Sequence, residues 1–257
     1  MFKLKDRVES YQQQSDYKLL NKLPVIIILN GRSFKKTTSL LEKPYSENFV
    51  NCMLSTCLKL CSEVEGTVFC YYNNDEIMLV TRNDQTNDTS AWFDNKIQKI
   101  VSVVSSIATL HFNTIASEMN LNLIGEAHFS TKVFTVPNTS EAVNSVIFKQ
   151  QQNFYQAVDL ACYYELSKKY DKNMIKEMIS GISVDEKLYI LQQECGINFD
   201  DYPDIFRNGA ACYKVPKLYG ENLKNIWTIN TEIPIFSKKQ SLLSYILNNG
   251  MDIFRHD

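Results

Sequence analysis

Two short segments of this 257-residue chain carry residue types suited to phosphate chemistry. The first is Asp75-Glu76, which follows Asn73-Asn74 between two β-rich runs, Thr67–Tyr72 and Ile77–Thr81. Two carboxylates a few ångströms apart can hold two Mg²⁺ ions, which activate an attacking oxygen and stabilise a pyrophosphate leaving group. The second is Asn30-Gly31-Arg32-Ser33-Phe34-Lys35. Asn30 offers a neutral oxygen ligand, and Gly31 stands where backbone must approach a ligand. Arg32 and Lys35 supply positive charge, and successive N–H groups in such a turn can cradle a triphosphate. Taken alone, each segment also has a plainer reading: a polar hairpin tip, and a glycine turn flanked by surface cations.

The elements that must position these residues follow from periodicity. Residues 24–30 read as a strand, and the unbroken β-branched run predicts burial on both faces, hence a central strand. Residues 46–65 place Phe49, Val50, Met53, Cys57, Leu60, Cys61 and Val64 on one face of a helix. The two β-rich runs around Asn73–Glu76 read as a hairpin. A helix over about 91–119 and a strand over 128–136, stopped by Pro137-Asn138, complete a β-α-β-β-α-β order. That order is the ferredoxin-like split βαβ pattern, a four-stranded antiparallel sheet with two helices on one face. It brings the loop after the first strand beside the hairpin tip. After residue 138 the spacing predicts helices over 139–169, 173–179, 183–194 and 238–249, with 226–236 extended. The expected class is α+β: a palm-like core over 1–138 and a helical C-terminal part, 139–257, of the same domain.

Composition sets outer bounds. With 44% hydrophobic and 22% charged residues the chain can bury a core, and only 8 Gly and 6 Pro disfavour an all-β fold with many tight turns. The longest purely apolar run, Val25–Leu29, is far too short to cross a membrane. With no signal-like N-terminus, the expectation is a cytoplasmic protein with no membrane partner. The 7 cysteines are scattered with no CxxC pair, and there are only 3 histidines. They read as small buried apolar side chains rather than a structural zinc site. A net charge of −2 gives no global basic field. Any RNA contact must be local, with Lys168, Lys169, Lys214 and Lys217 as candidates.

Longer motifs carry a resemblance. Leu4-Lys-Asp-Arg-Val-Glu-Ser-Tyr11 is similar to the opening Leu-Gly-Asp-Arg-Met-x-x-Tyr of the tRNA(His) guanylyltransferases and their relatives, the 3′–5′ polymerases. Leu23-Pro24 through Phe34 resembles their Leu-Pro-x₅-Asp-Gly-Arg-x-Phe strand and loop. Glu42-Lys-Pro44 resembles a Lys-Pro element, and Tyr72-Asn-Asn-Asp-Glu76 a Gln-Ser-Asp-Glu hairpin. Lys99-Ile-Val-Ser-x₃-Ser-x-Ala108 resembles a Lys-Leu-Val-Ser-x₃-Ser-x-Ala helix, and Phe129–Pro137 a Phe-Asp-x-Arg-x-Phe-x-x-Pro strand. Gly196-Ile-Asn-Phe199, Tyr202-Pro203 and Phe206-Arg-x-Gly209 resemble a further stretch, so the ordered matches span most of the chain.

The resemblance implies a palm-like core, often in a homotetramer. It also implies ATP activation of a tRNA 5′ end, followed by attack of an incoming nucleotide's 3′-OH, with two Mg²⁺ ions. ATP and GTP or other nucleoside triphosphates would be substrates. By motif, Asp75 is the retained metal carboxylate, the Gly31 backbone a further ligand, and Asn30 stands where the family has its other metal Asp. Arg32, Ser33, Phe34, Lys35, Lys43, Asn74, Glu76 and Lys99 would surround triphosphate or base. The chain departs from the pattern at Asn30, at Ser46 (for Asp), and at Ser130 and Lys132 (for Asp and Arg). It departs again at Phe148–Gln152, and the His-Ile-Asn-Asn signature beyond is replaced by Asn153-Phe-Tyr-Gln. These changes fit a tRNA-repair type relative, or a member that binds tRNA or nucleotide with weakened or no chemistry. A nucleotide cyclase-like activity on the same geometry is a further alternative.

Overall fold

The apolar run after Pro24 forms β1 (Val25–Gly31), and its burial explains its composition. In a computed structural model of the protein, which describes residues 3–219 and 222–252, Val25, Ile27 and Leu29 enter one core while Ile26 and Ile28 enter another. A strand covered on both faces needs no polar alternation.

Along the chain, α1 (Leu4–Gln13) precedes β1, and α2 (Phe34–Thr37) and α3 (Glu47–Glu63) follow it. The hairpin β2 (Thr67–Asn73) and β3 (Glu76–Thr81) leads to α4 (Ile97–Glu118) and β4 (Phe129–Thr135). The C-terminal half contributes α5 (Thr139–Leu166), α6 (Lys172–Ile179), α7 (Val184–Cys195) and α8 (Asp204–Asn208), then β5 (Ala210–Tyr219), β6 (Asn222–Asn230) and α9 (Gln240–Asn249). Asn138 starts α5 by accepting the Glu141 N–H at 2.9 Å on its side-chain oxygen, a helix cap directly after the Pro137 stop.

The strand order is β4-β1-β3-β2-β5-β6, with antiparallel pairing throughout. The first four strands are the expected ferredoxin-like sheet, with α3 and α4 on one face. The sheet is larger than the expected four strands, because β5 and β6 extend it beyond β2. The sequence of β5 hides it: Ala210-Ala211-Cys212 shows no alternation, and Pro216 argues against a strand. β5 pairs with β2 only over Ala210–Cys212, so Pro216 lies past the point where both edges need ladder donors.

The second face is also covered. Ala142, Val143 and Val146 of α5, with Leu243, Ile246 and Leu247 of α9, pack on Ile26, Ile28, Met78 and Val80. Further along, α5 enters a third core, where Ala157, Val158, Ala161 and Leu166 meet Ile175 of α6 and Leu191 of α7. Each fully buried Ile, Leu or Val contributes about 1.5–3 kcal/mol, so these layers, rather than the hairpin turn, hold the strand ends in place. Among the described residues α4 is long and apolar enough to cross a membrane by length and composition. Its stripe of Ile100, Val104, Ala108, Phe112 and Ala116 is buried on the sheet.

Candidate active site

Strand register brings the expected residues together at one end of the sheet. Asn30 of β1 lies opposite Glu76 of β3 on one side and Ser130 of β4 on the other, and Asn73 of β2 lies opposite Glu76. Cross-strand partners share a face, so Ser130, Asn30, Glu76 and Asn73 form a row on the face that α5 covers. Lys149 of α5 reaches this row and pairs with Glu76, Nζ to Oε2 2.8 Å, with both side chains mostly buried. The one carboxylate of the row is thus already neutralised.

Asp75 stands next to the row, at the hairpin tip, after Asn74 in the left-handed region (φ 43°). The Gly31 N–H donates to the Asp75 carbonyl at 3.0 Å, pinning the tip to the end of β1. Asn30 and Asp75 are therefore diagonal neighbours, about 5–8 Å apart at their Cα atoms by sheet geometry.

The role expected of the 31–35 turn changes. A Cβ on Gly31 would lie 2.3 Å from Cγ of Phe34. Phe34 is buried, its ring 5.1 Å from Phe129 and 6.0 Å from Phe49 between centroids. Glycine here makes room for an internal ring. Its N–H is taken by Asp75, and the Arg32 N–H donates to the His128 carbonyl at 2.8 Å. A cradle of successive free amides therefore does not begin at Gly31 and Arg32. Positive charge beside the tip comes instead from side chains.

Beyond the tip lies a cavity of about 740 Å³, large enough for a nucleotide. The segment from Phe34 to Phe49 forms one wall, with Lys35, Lys43 and Ser46, while Asn74 and Asp75 close the end. Tyr163 and Tyr164 of α5, with Lys172 and Lys176 of α6, form the opposite wall. The Lys43 ammonium donates to Thr38 Oγ1 at 3.2 Å and lies 5.9 Å from the Tyr164 ring centre. Burial lowers the Lys43 pKa, and Asp75 raises it. Burial pushes the Asp75 carboxyl up; a backbone hydrogen bond and Lys43 pull it down, while Glu76 pushes it further up. Asp75 is thus a half-buried carboxylate short of positive charge.

That imbalance is the test of whether Mg²⁺ fits. Asp75, at the tip whose backbone is hydrogen-bonded to Gly31 next to Asn30, is a hard-oxygen donor with a charge to satisfy. It suits one divalent cation. The donor set for a second is thin, because the row holds Ser130 and Asn30 and its Glu76 is paired with Lys149.

Two expectations are corrected by position. Lys99 does not join the cavity. Near the start of α4, the Asn95 carbonyl accepts from Leu19 N–H, which places this end beside the start of β1. Phe112 is the α4 residue that meets Phe34, and it lies thirteen residues, or about 20 Å, further along the helix. The Lys99 ammonium instead sits 5.7 Å from the Phe93 ring centre. Nor do the four lysines considered for RNA form one patch. Lys168 pairs with Glu165 and Lys169 with the Glu194 carbonyl, both at the end of α5, whereas Lys214 lies on β5 against Trp227. The α6 lysines and the α5 tyrosines escaped sequence reasoning because they meet the tip only through tertiary packing. The one available signal was the four-residue spacing of Lys172 and Lys176, which puts both on one helix face.

A ferredoxin-like sheet with a lysine-bearing cavity at its strand ends defines a palm-type fold. Residues 5–137, just over half of the chain, match the family described as tRNAHis guanylyltransferase, and the chain belongs to that family. It is 24% identical over 212 residues to tRNA(His) guanylyltransferase 1 of Arabidopsis thaliana, covering 80% of this chain but 36% of that protein. It is 24% identical to the probable tRNA(His) guanylyltransferase of Drosophila melanogaster, over 83% of this chain and 74% of that one. The fold is similar to that of a bacterial tRNA(His) guanylyltransferase-like protein in complex with ATP, with a TM-score of 0.84, 24% identity, and coverage of 95% of this chain and 99% of that one.

Proposed function

We propose that this protein is a 3′–5′ nucleotidyltransferase that adds nucleotides to the 5′ end of tRNA. The observation that carries this reading is the cavity in which Asp75 and Lys43 face each other at the hairpin tip, in a chain of this family. Lys35 and Lys43 on one wall, and Lys172 and Lys176 on the other, would hold a triphosphate by charge-assisted contacts. Tyr163 and Tyr164 offer aromatic surface to a base. The tRNA 5′ phosphate would attack the α-phosphorus of ATP, releasing pyrophosphate, and the 3′-OH of an incoming GTP or other nucleoside triphosphate would then attack the activated 5′ phosphate, releasing AMP. Asp75, with Asn30 and the Gly31 carbonyl, would hold Mg²⁺, which when bound would neutralise charge developing on the phosphoryl oxygens. The same reading takes the protein to work in the cytoplasm as a homotetramer.

A second reading has its own observation. The row Ser130–Asn30–Glu76 carries one carboxylate, and Lys149 already satisfies it. A binding protein that holds tRNA or nucleotide without chemistry would keep the cavity and tolerate this row. Incubating a labelled 5′-truncated tRNA with ATP, GTP and Mg²⁺ separates the two. Extension that Asp75→Asn abolishes and Asn30→Asp increases supports the enzyme. Tight tRNA and ATP binding, with no extension in either the natural chain or Asn30→Asp, supports the binding protein. Extension that Asp75→Asn leaves unchanged would remove Asp75 from the reaction.

A further inference from the structure

Four of the cysteines, from α3, β2 and β5, meet in one place. Cys57 and Cys61 lie one turn apart on α3, and Cys70 of β2 stands directly opposite Cys212 of β5. All four are buried between α3 and the sheet. The sulfurs of Cys61, Cys70 and Cys212 lie within 4.8 Å of one another, and the Cys57 thiol neighbours those of Cys70 and Cys212.

Packing alone does not ask for this. Small apolar cysteines would serve a core equally well if their sulfurs pointed apart. The four form two pairs, one separated along a helix axis and the other across two strands. α3 runs into β2 through a short connection, Val64–Gly66, and so lies back along that strand. The helical pair and the strand pair are then roughly perpendicular, the relation between opposite edges of a tetrahedron. A tetrahedral thiolate site has metal–sulfur distances of about 2.3 Å, which places its sulfurs about 3.8 Å apart. Among Cys61, Cys70 and Cys212 the observed spacing reaches that with a contraction of about 1 Å or less, and Cys57, one helical turn from Cys61, is the fourth sulfur that must swing in. Among the described residues no histidine or carboxylate belongs to the cluster, and a thiolate set selects soft ions over Mg²⁺.

We propose that Cys57, Cys61, Cys70 and Cys212 form a structural thiolate site for one zinc-class metal ion, tying α3 to the β2–β5 strand pair. Binding releases one proton for each thiolate formed, and the ion offsets two of the resulting charges. Uptake therefore accompanies folding, before the core closes, and strengthens as pH rises. The site is independent of the nucleotide cavity, and its presence or absence leaves the proposed activity untested.

The test uses the full chain, expressed with added zinc and purified without chelator. Elemental analysis and native mass spectrometry should find one zinc per chain. Unfolding and refolding with Co²⁺ should give the charge-transfer and d–d bands of tetrahedral thiolate coordination. The Cys61→Ser/Cys212→Ser variant should lose both, whereas Cys162→Ser, at a buried cysteine outside the cluster, should keep them. If the double variant fails to fold, the natural chain still decides: a strong chelator should extract the zinc and lower Tm. Zinc absent from the purified chain, no thiolate–cobalt band after refolding, or a mass deficit from a Cys70–Cys212 disulfide would each overturn the proposal.

Discussion

The Lys149 ammonium of α5 sits 2.8 Å from the Glu76 carboxylate of β3, with 18% and 14% of the two side chains exposed. A helix from the C-terminal half thereby supplies the counter-charge for a strand end of the N-terminal half. Removing one partner of a buried pair typically costs about 3–5 kcal/mol, and partial exposure places this pair near about 3 kcal/mol. Lys149→Met should lower stability to urea by that amount, and Lys149→Met/Glu76→Gln should recover more than half of it. The freed carboxylate in Lys149→Met should also tighten Mg²⁺ binding. A double variant no more stable than the single one would show that the pair is not coupled.

Gly31 tests the internal role of the loop. With Phe34 held among Phe49, Phe112 and Phe129, an added methyl group at Gly31 has nowhere to go. Overpacking of this kind costs about 1–3 kcal/mol. Gly31→Ala should lower the urea midpoint accordingly, and Gly31→Ala/Phe34→Leu should regain part of the loss. If the second substitution only adds to the first, the clash is not the cause.

The lysines separate by position. A hydrogen bond to a charged group contributes about 1.5–3 kcal/mol, so Lys43→Ala should weaken ATP binding by roughly 10- to 100-fold. Lys35→Ala should act in the same direction, and Lys99→Ala in a single chain should leave affinity unchanged. Calorimetry on the three variants checks this, and an equal loss at Lys99 would mean that α4 reaches the nucleotide, from this chain or another.

Asp75 gives stability a pH dependence. Its pKa in the folded chain lies above its ordinary value, chiefly through burial, so the folded state holds the proton more tightly than the unfolded one. This contribution is fully present below the unfolded pKa and is lost as pH rises through the folded value. Asp75→Asn should therefore raise Tm at neutral pH by a few degrees and leave it little changed in acid. A Tm lowered at neutral pH would mean that Lys43 more than balances the carboxylate.

Much of this was legible because local pattern and global fold agree. The run Val25–Leu29 announced a strand buried on both faces, and the cores on either side of β1 confirm it. The polar tip between Tyr72 and Ile77 announced the hairpin and placed Asp75 beside Gly31. What failed needed direction or distance. A motif match at Lys99 carries no information on which end of its helix faces the tip. The convergence of Cys57, Cys61, Cys70 and Cys212 depends on β5, whose Ala-Ala-Cys start and Pro216 conceal a strand. The lysine pair of α6 meets the cavity only because α5 carries the third core past the hairpin.

The passage of α5 from one core to the next bears on modularity. The sequence invites a cut near Pro137-Asn138, between a compact-looking first half and a helical second half. A chain ending there would leave Ile26, Ile28, Met78 and Val80 in water and β2 with an open hydrogen-bonding edge. Such bare strand edges recruit other chains. As a free-standing module the first half would therefore carry an exposed apolar face and an open strand edge. A truncation at Pro137-Asn138 should therefore give an aggregating fragment, which light scattering would detect.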